Sequence, residues 1–401
     1  MPSGSIRSGR RPSRTCGRTM EACRPGGADA RHVAHACGAR LRQTLRDTAH
    51  RSFRGGHDMS FNTVSGKSLA AAVALLALGM AGTAQGATLI KLGTNFASPD
   101  QVEYQAVQAF KRYVEFRSNG EIELRVFAES LGGDREIFEQ VQQGSLELAF
   151  PADGAIAGFY APVQVLSIPY AVTTSPVAWK FLESDFMREL TADMLEQTGV
   201  RTLVTAESGF RSMSNNVRQI REPADMEGLK MRTMQSPVYM EMMRALGATP
   251  TPLPATELVM SLRQGIVDGQ ENPIPAIADS GIGEVQSFVS ADDHTLGVQF
   301  LVTNDDWWQT LDQTTREILQ EGAHLLANYS QALKMDKLEL SIQKLRDRGV
   351  DVYLNTNAEK EMFREAAQPA VRAFIEEQVG TELVERFLGA VEEANASVYS
   401  H

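Results

Sequence analysis

The sequence predicts an α/β fold with two lobes, a cleft between the lobes and one long helix that braces both. From Ala87 onward, short apolar runs with strand periodicity alternate with helical patterns. The alternation occurs twice, over 87–207 and again over 208–300, and each repetition is enough for one lobe. A helical pattern without proline then runs from Thr314 to Arg348. Such a helix would be about 50 Å long at about 1.5 Å per residue, enough to cross both lobes.

Residues 1–58 do not fit this α/β pattern. They contain twelve arginines, four acidic residues and all three cysteines, and they show no apolar periodicity. We therefore expect this segment to be an Arg-rich extension outside the natural protein. The alternative is a targeting leader, which Arg-rich and acid-poor composition also fits.

A secretory signal peptide is predicted over residues 59–86. Lys67 precedes an apolar run from Leu69 to Ala81, and Ala84-Gln85-Gly86 supplies small residues for cleavage. The apolar run is shorter than the roughly 20 residues that a bilayer-spanning helix needs. The sequence thus predicts export, with no membrane insertion after cleavage.

Charge and residue usage exclude several function classes for the remaining chain. Residues 1–58 carry +8 and Lys67 adds one positive charge, so the chain's net charge of −11 becomes −20 beyond residue 86. A protein this acidic repels nucleic acid. Beyond residue 86 the chain has no cysteine and three scattered histidines, and it has no nucleophile-elbow or phosphate-loop motif. We expect no metal, no cofactor and no enzymatic activity.

The first lobe is predicted to begin as a parallel strand-helix-strand-helix-strand unit. Its strands are Leu89–Gly93, Glu121–Val126 and Leu146–Phe150, and its helices open at Ser98-Pro99 and at Gly132-Gly133-Asp134. A helix from Pro176 to Gln197 and a strand from Val200 to Thr205 then lead to the second lobe.

Arg232 lies in a short strand pattern of the second lobe, and Pro237 opens the next helix. Its guanidinium is therefore expected near a strand end, where its fork of donors can hold a carboxylate with two parallel hydrogen bonds. The alternatives are a surface arginine in an acidic protein and a structural salt bridge with Glu227 or Glu257.

Several motifs together resemble the solute-binding proteins of TRAP transporters, the tripartite periplasmic carriers of organic acids. They are GLKMR at 228–232, LGA at 246–248, Glu257, QGIVDGQENP at 264–273, and LGGDREIFEQVQQGSLELAF at 131–150. The resemblance implies a periplasmic-binding-protein fold that closes on a small organic acid, such as a C4-dicarboxylate. It also implies delivery of that acid to membrane permease subunits driven by an ion gradient, and no cofactor.

The resemblance also assigns ligand contacts. Arg232 matches the residue that anchors the carboxylate, Arg211 a second positive contact, Asn272 a polar donor, and Gln235 a polar contact of some members. For Arg211 the alternative is a solvated strand arginine, and for Asn272 it is an ordinary turn asparagine. Asp134 and Glu129 are expected at the mouth of the first lobe as acceptors for ligand hydroxyls, with helix capping as the alternative for Asp134.

Three departures from the family pattern bear on the ligand. Members that bind sialic acid have a glutamate where this chain has Ala152 and an aromatic residue where it has Ala255, and ectoine-binding members have a tryptophan at the position of Lys230. We therefore expect neither ligand. Dicarboxylates, 2-oxo and 2-hydroxy acids, sugar acids and aromatic acids stay open, as do a sensory role and, less favoured, an enzyme on the same scaffold.

Overall fold

A computed structural model describes residues 87–399, so the predicted extension and signal peptide lie outside the described residues. Within this range, nine strands form one sheet in the order β2-β1-β3-β8-β4-β7-β5-β6, with β9 alongside β8. The strands are β1 (Thr88–Thr94), β2 (Ile122–Ala128), β3 (Leu148–Ala149), β4 (Val200–Asn215), β5 (Lys230–Thr233), β6 (Thr249–Pro252), β7 (Gly269–Pro273), β8 (Phe288–Asn304) and β9 (Asp351–Tyr353).

Strands β4 and β8 are shared by two lobes. The first half of β4 pairs with the end of β8, which is also bonded to β3, and the second half pairs with β7 and with the start of β8. The predicted strand Val200–Thr205 is therefore too short, because β4 continues without a break to Asn215. The predicted lobe boundaries at 207/208 and 300/301 fall inside these two strands, each of which belongs to both lobes.

Two glycines face each other near the middle of the paired strands β4 and β8. Gly209 lies opposite Gly297, next to a register shift after Glu207. Gly209 has φ 102°, a conformation that residues with a Cβ rarely adopt. This irregularity divides the long strands into a first-lobe half and a second-lobe half.

The predicted parallel unit of the first lobe is confirmed, since β1 pairs in parallel with both β2 and β3. The helices of the described residues surround the sheet. They are α1 (Val102–Arg117), α2 (Asp134–Gln142), α3 (Asp153–Ile156), α4 (Ser175–Leu182), α5 (Asp185–Thr198), α6 (Pro237–Ala245), α7 (Ala255–Arg263), α8 (Ile274–Asp279), α9 (Asp305–Thr310), α10 (Gln313–Asp347), α11 (Asn357–Val379) and α12 (Thr381–Tyr399).

The single helix expected from Pro176 to Gln197 is two helices, α4 and α5. The break occurs because the hydroxyl of Ser184 accepts a hydrogen bond from the amide of Met187 at 3.3 Å, which caps the start of α5. Helical periodicity alone does not show such an internal cap.

The long helix α10 has 35 residues and begins where Asp312 accepts a hydrogen bond from the amide of Thr315 at 2.9 Å. Its first half buries Leu319 and Leu326 in a core with α1 and the first-lobe strands. Its last turns bury Ile342 and Leu345 in a second core with α7 and α8. The predicted brace between the lobes is thus present.

A third and larger core contains residues of both lobes. It includes Phe138 of α2, Tyr239 of α6, Phe363 of α11 and Phe387 of α12, all almost fully buried. Over residues 87–399, no helix combines the length and the apolar character needed to cross a membrane.

Candidate functional site

A cavity of about 320 Å³ lies between the two lobes. First-lobe residues that follow strand ends line one side, among them Asn95 and Ala152, and Arg232 and Asn272 at strand ends of the second lobe line the other. In open α/β sheets the crevice beyond the carboxyl ends of the strands is the usual ligand site, and the volume is at the small end for such sites.

Arg232 reaches this cavity from β5 and is only 2 % exposed. Its Nε and Nη2 donate to the main-chain oxygen of Leu253 at 2.9 and 2.6 Å. Among residues 87–399, no carboxylate lies within 4.0 Å of its guanidinium, so the proposed salt bridge with Glu227 or Glu257 is not formed. Burial lowers the pKa of Arg232 to about 10, and the more distant carboxylates of Glu271 and Asp134 offset this only in part.

Arg211 lines the same cavity from β4, but its charge is paired. Its Nη2 donates to Oε1 of Glu271 at 3.0 Å and to the Glu271 main-chain oxygen at 2.7 Å, and its Nε pairs with Oε2. The guanidinium also lies over the ring of Tyr239, 5.6 Å from its centroid. At 3 % exposure Arg211 is not a solvated strand arginine, and that alternative is wrong.

His294 and Asp292 extend this charge network behind the cavity wall. Nδ1 of His294 lies 2.9 Å from Oδ2 of Asp292, and its Nε2 lies 3.4 Å from Oε2 of Glu271. Burial opposes a charge on His294, but the two carboxylates outweigh it and raise its pKa to about 9. Arg211 and His294 thus share the carboxylates of Glu271 and Asp292, whereas Arg232 has no directly paired carboxylate among residues 87–399.

Sequence patterns did not predict this network. Glu271 lies inside the QGIVDGQENP motif, next to Asn272. It comes close to Arg211 because β4 and β7 pair in the antiparallel direction. Gly269 of the same motif passes so close to the Ser214 main-chain oxygen that a Cβ would collide with it. A glycine at that position therefore permits the pairing that brings Glu271 to Arg211.

Of the two predicted polar contacts, Asn272 lines the cavity and Gln235 does not. Asn272 lines the cavity, and its Oδ1 accepts from Nη2 of Arg211 at 3.2 Å while its Nδ2 donates to Gln270. Gln235 follows β5 in the turn before α6 and is not among the cavity-lining residues, whereas its neighbour Met234 is. The ligand contact of Gln235 stays a prediction that this arrangement does not favour.

Asp134 lines the cavity from the first lobe. It is the first residue of α2, where the cap position is Gly133, and the amide of Gly133 donates to Oε2 of Glu136 at 2.7 Å. The capping alternative for Asp134 is therefore wrong. Burial raises the pKa of Asp134 to about 7, and its buried Oδ1 has no hydrogen-bond partner among the described residues.

Two of the three departures noted in the sequence line the cavity. Ala152 and Ala255 stand on opposite sides of it, where a glutamate and an aromatic residue would fill space. Lys230, in contrast, is exposed and does not line the cavity.

The chain is similar in sequence and in fold to known solute-binding proteins. The model of the family described as bacterial extracellular solute-binding protein, family 7, DctP, matches residues 93–378. The chain is 29% identical to the sialic acid-binding periplasmic protein SiaP of Vibrio cholerae over 316 residues, which is 78% of this chain and 96% of that protein.

Two solved structures are similar over nearly their whole length. The sugar acid binding protein of Advenella mimigardefordensis, in complex with galactonate, has a TM-score of 0.74 at 27% identity, covering 77% of this chain and 99% of that one. A TRAP periplasmic solute binding protein of Polaromonas, bound to D-erythronate, has a TM-score of 0.70 at 28% identity, covering 75% and 98%. The resemblance to TRAP receptors is thus confirmed, and the chain belongs to family 7 of the bacterial extracellular solute-binding proteins.

Proposed function

We propose that this protein is a periplasmic receptor that closes its lobes on a small organic acid and delivers it to the permease of a TRAP transporter. One observation carries the proposal: Arg232 is a buried cation that lines the cavity, and the main-chain oxygen of Leu253 is its single hydrogen-bond partner among residues 87–399. A buried charge without a directly paired counter-charge is costly, and an anion in the cavity would reduce that cost. A carboxylate matches the guanidinium fork with two parallel bonds.

Arg211 and Asn272 are proposed as supporting contacts. Arg211 is held in place by Glu271, so its position at the cavity wall does not depend on the ligand. The amide of Asn272 is fixed by Arg211 and Gln270 and keeps one N–H for a ligand oxygen. Closure removes water from the cavity and strengthens each charge-assisted bond.

The ligands of the relatives support a small organic acid. Structures similar to this chain hold galactonate and D-erythronate. The small side chains of Ala152 and Ala255 on the cavity wall support the expectation that sialic acid is not the ligand, although SiaP is a relative. Delivery to a permease is proposed from family membership.

A thermal-shift screen of aldonates, uronates, dicarboxylates and 2-oxo acids, followed by isothermal titration, tests the proposal. A ligand at 100 times its dissociation constant adds about 2.7 kcal/mol of stability. For any acid that binds in the screen, we expect Arg232→Ala to weaken binding by about 2 to 5 kcal/mol. Arg232→Lys should recover part of the lost binding free energy.

The control is Arg263→Ala, because Arg263 is an exposed arginine on α7 of the same lobe and does not line the cavity. It should bind as the unchanged protein does. Equal affinity of Arg232→Ala and Arg263→Ala would rule out Arg232 as the anchor.

A further inference from the structure

The charges that line the cavity are divided between its two walls. Both lining cations, Arg211 and Arg232, belong to the second lobe. The first lobe contributes Glu129 at the rim and Asp134 deeper in, and among the described lining residues it contributes no lysine or arginine. A bound acid is therefore oriented, with its carboxylate toward the second lobe.

The wall opposite the arginines is made of unpaired hydrogen-bonding groups. Asn95 is 7 % exposed and lies beside Asp134, and Gln299 is 4 % exposed; among residues 87–399, no partner lies within hydrogen-bond geometry of the Asn95 amide or of Oε1 of Gln299. The buried Oδ1 of Asp134 is also without a partner. Buried polar atoms are nearly always hydrogen-bonded, so these atoms indicate partners that a ligand supplies.

The geometry points to a ligand with one carboxylate at Arg232 and hydroxyl groups at Asn95, Asp134 and Gln299, that is, a polyhydroxylated monocarboxylic acid. This inference rests on the proposed function and adds the chemistry of the ligand's other end. A hydroxyl group both donates and accepts, so it can satisfy an amide and a carboxylate together.

A second carboxylate at that end is disfavoured. It would lie against Asp134 and Glu129, with no lysine or arginine among the described lining residues of that wall, and like charges placed together in an interface weaken binding. An ammonium group at that end is the competing occupant, because it can donate to the unpaired oxygens of Asn95, Asp134 and Gln299. It leaves only the amide nitrogen of Asn95 without an acceptor, a partner that a hydroxyl group also supplies.

Matched acids of one carbon skeleton test this inference by titration of the full chain. The pairs are erythronate with meso-tartrate, gluconate with glucarate, and galactonate with galactarate, in which only the terminal hydroxymethyl becomes a carboxylate. We expect at least one monocarboxylate to bind about tenfold or more tighter than its dicarboxylate partner. Equal or tighter binding of the dicarboxylates overturns the inference, as does the absence of binding by all three monocarboxylates.

Variants of the acidic wall give an independent readout. Asp134→Asn combined with Glu129→Gln should reduce the preference for the monocarboxylate by about fivefold or more. The control is Glu121→Gln, which removes one negative charge from an exposed position of the same lobe, away from the cavity. An unchanged preference in the double variant, with folding verified by thermal unfolding, contradicts the assignment.

Two further outcomes separate this inference from the function on which it rests. If 6-aminohexanoate binds more tightly than every hydroxy acid, the wall binds an ammonium group and the hydroxyl assignment is wrong, while Arg232 keeps its role. If galactitol binds as well as galactonate, or Arg232→Ala binds galactonate normally, the proposed function itself fails.

Discussion

Arg211 and Arg232 lie on the same wall of the cleft, and both are almost fully buried, yet their surroundings differ. Arg211 is bonded to both carboxylate oxygens of Glu271, and His294 and Asp292 complete a balanced network behind it. Within the described range 87–399, Arg232 is hydrogen-bonded only to the main-chain oxygen of Leu253. Two buried arginines of one cavity wall can thus have separate roles: Arg211 stabilises the wall, and Arg232 is available to bind an anion.

The electrostatics of the two sites express the same difference. Burial lowers the pKa of Arg232, whereas for Arg211 the carboxylate of Glu271 more than offsets burial and the pKa is raised. The folded protein therefore favours the charge on Arg211 and disfavours it on Arg232. Substitutions that remove one charge at a time should separate stability from binding.

Arg211→Met should have the largest effect on stability. It leaves Glu271 buried beside His294 alone, and breaking a buried ion pair by removing one partner costs about 3 to 5 kcal/mol. Urea denaturation of the ligand-free protein measures the free energy of unfolding. A loss below about 1 kcal/mol would show that Arg211 does not hold the wall together.

Asp134→Asn should change the pH dependence of stability. The folded pKa of about 7 lies above the ordinary value of 3.8, so the folded protein binds more protons than the unfolded chain between about pH 4 and pH 7. Stability contributed by this group therefore falls as pH rises through that window.

The asparagine variant lacks this loss. Between pH 4 and pH 8, its free energy of unfolding should therefore rise by about 2 kcal/mol relative to that of the unchanged protein. This value is smaller than the full pKa shift implies, because part of the Asp134 side chain is still solvated. Thermal or urea unfolding across this range measures the difference. Parallel stability curves for the two proteins would contradict the raised pKa.

Arg232→Met should alter the stability of the ligand-free protein by less than about 1 kcal/mol. Removal of a disfavoured buried charge is offset by the loss of the bonds to Leu253. The comparison with Arg211→Met in the same denaturation experiment is decisive. Equal destabilisation by both variants would mean that Arg232 has a structural partner after all.

Lys337→Met should have the smallest effect and calibrates the series with an ion pair outside the cavity. Nζ of Lys337 lies 3.3 Å from Oδ2 of Asp279 and also donates to the main-chain oxygen of Asp100, which connects α10 to both lobes. Lys344 still pairs with Asp279 at 2.6 Å in the variant. We expect a loss below about 1 kcal/mol that shrinks as salt rises, and a larger loss would indicate a latch between the lobes.

Local patterns predicted most of the fold, and they failed where long-range pairing decided the outcome. Apolar periodicity located the parallel first-lobe unit and placed the ends of α10 within one residue, because a helix or strand displays its buried face in its own sequence. It ended β4 ten residues early, at Thr205 instead of Asn215, because the second half of the strand exists through its pairing with β7 and β8. It also missed the cap at Ser184.

The sequence by itself determined the fold class, the family and the place of Arg232 at the end of a strand, since each of these is written in local periodicity and in the spacing of short motifs. Only the tertiary structure decided which arginine is paired with a carboxylate and which, among the described residues, is not. Arg211 and Glu271 are 60 residues apart and meet through the antiparallel register of β4 and β7, which no local pattern encodes. The opposition of an acidic wall to a basic one has the same origin, because residues far apart in the sequence come to face each other across one cavity.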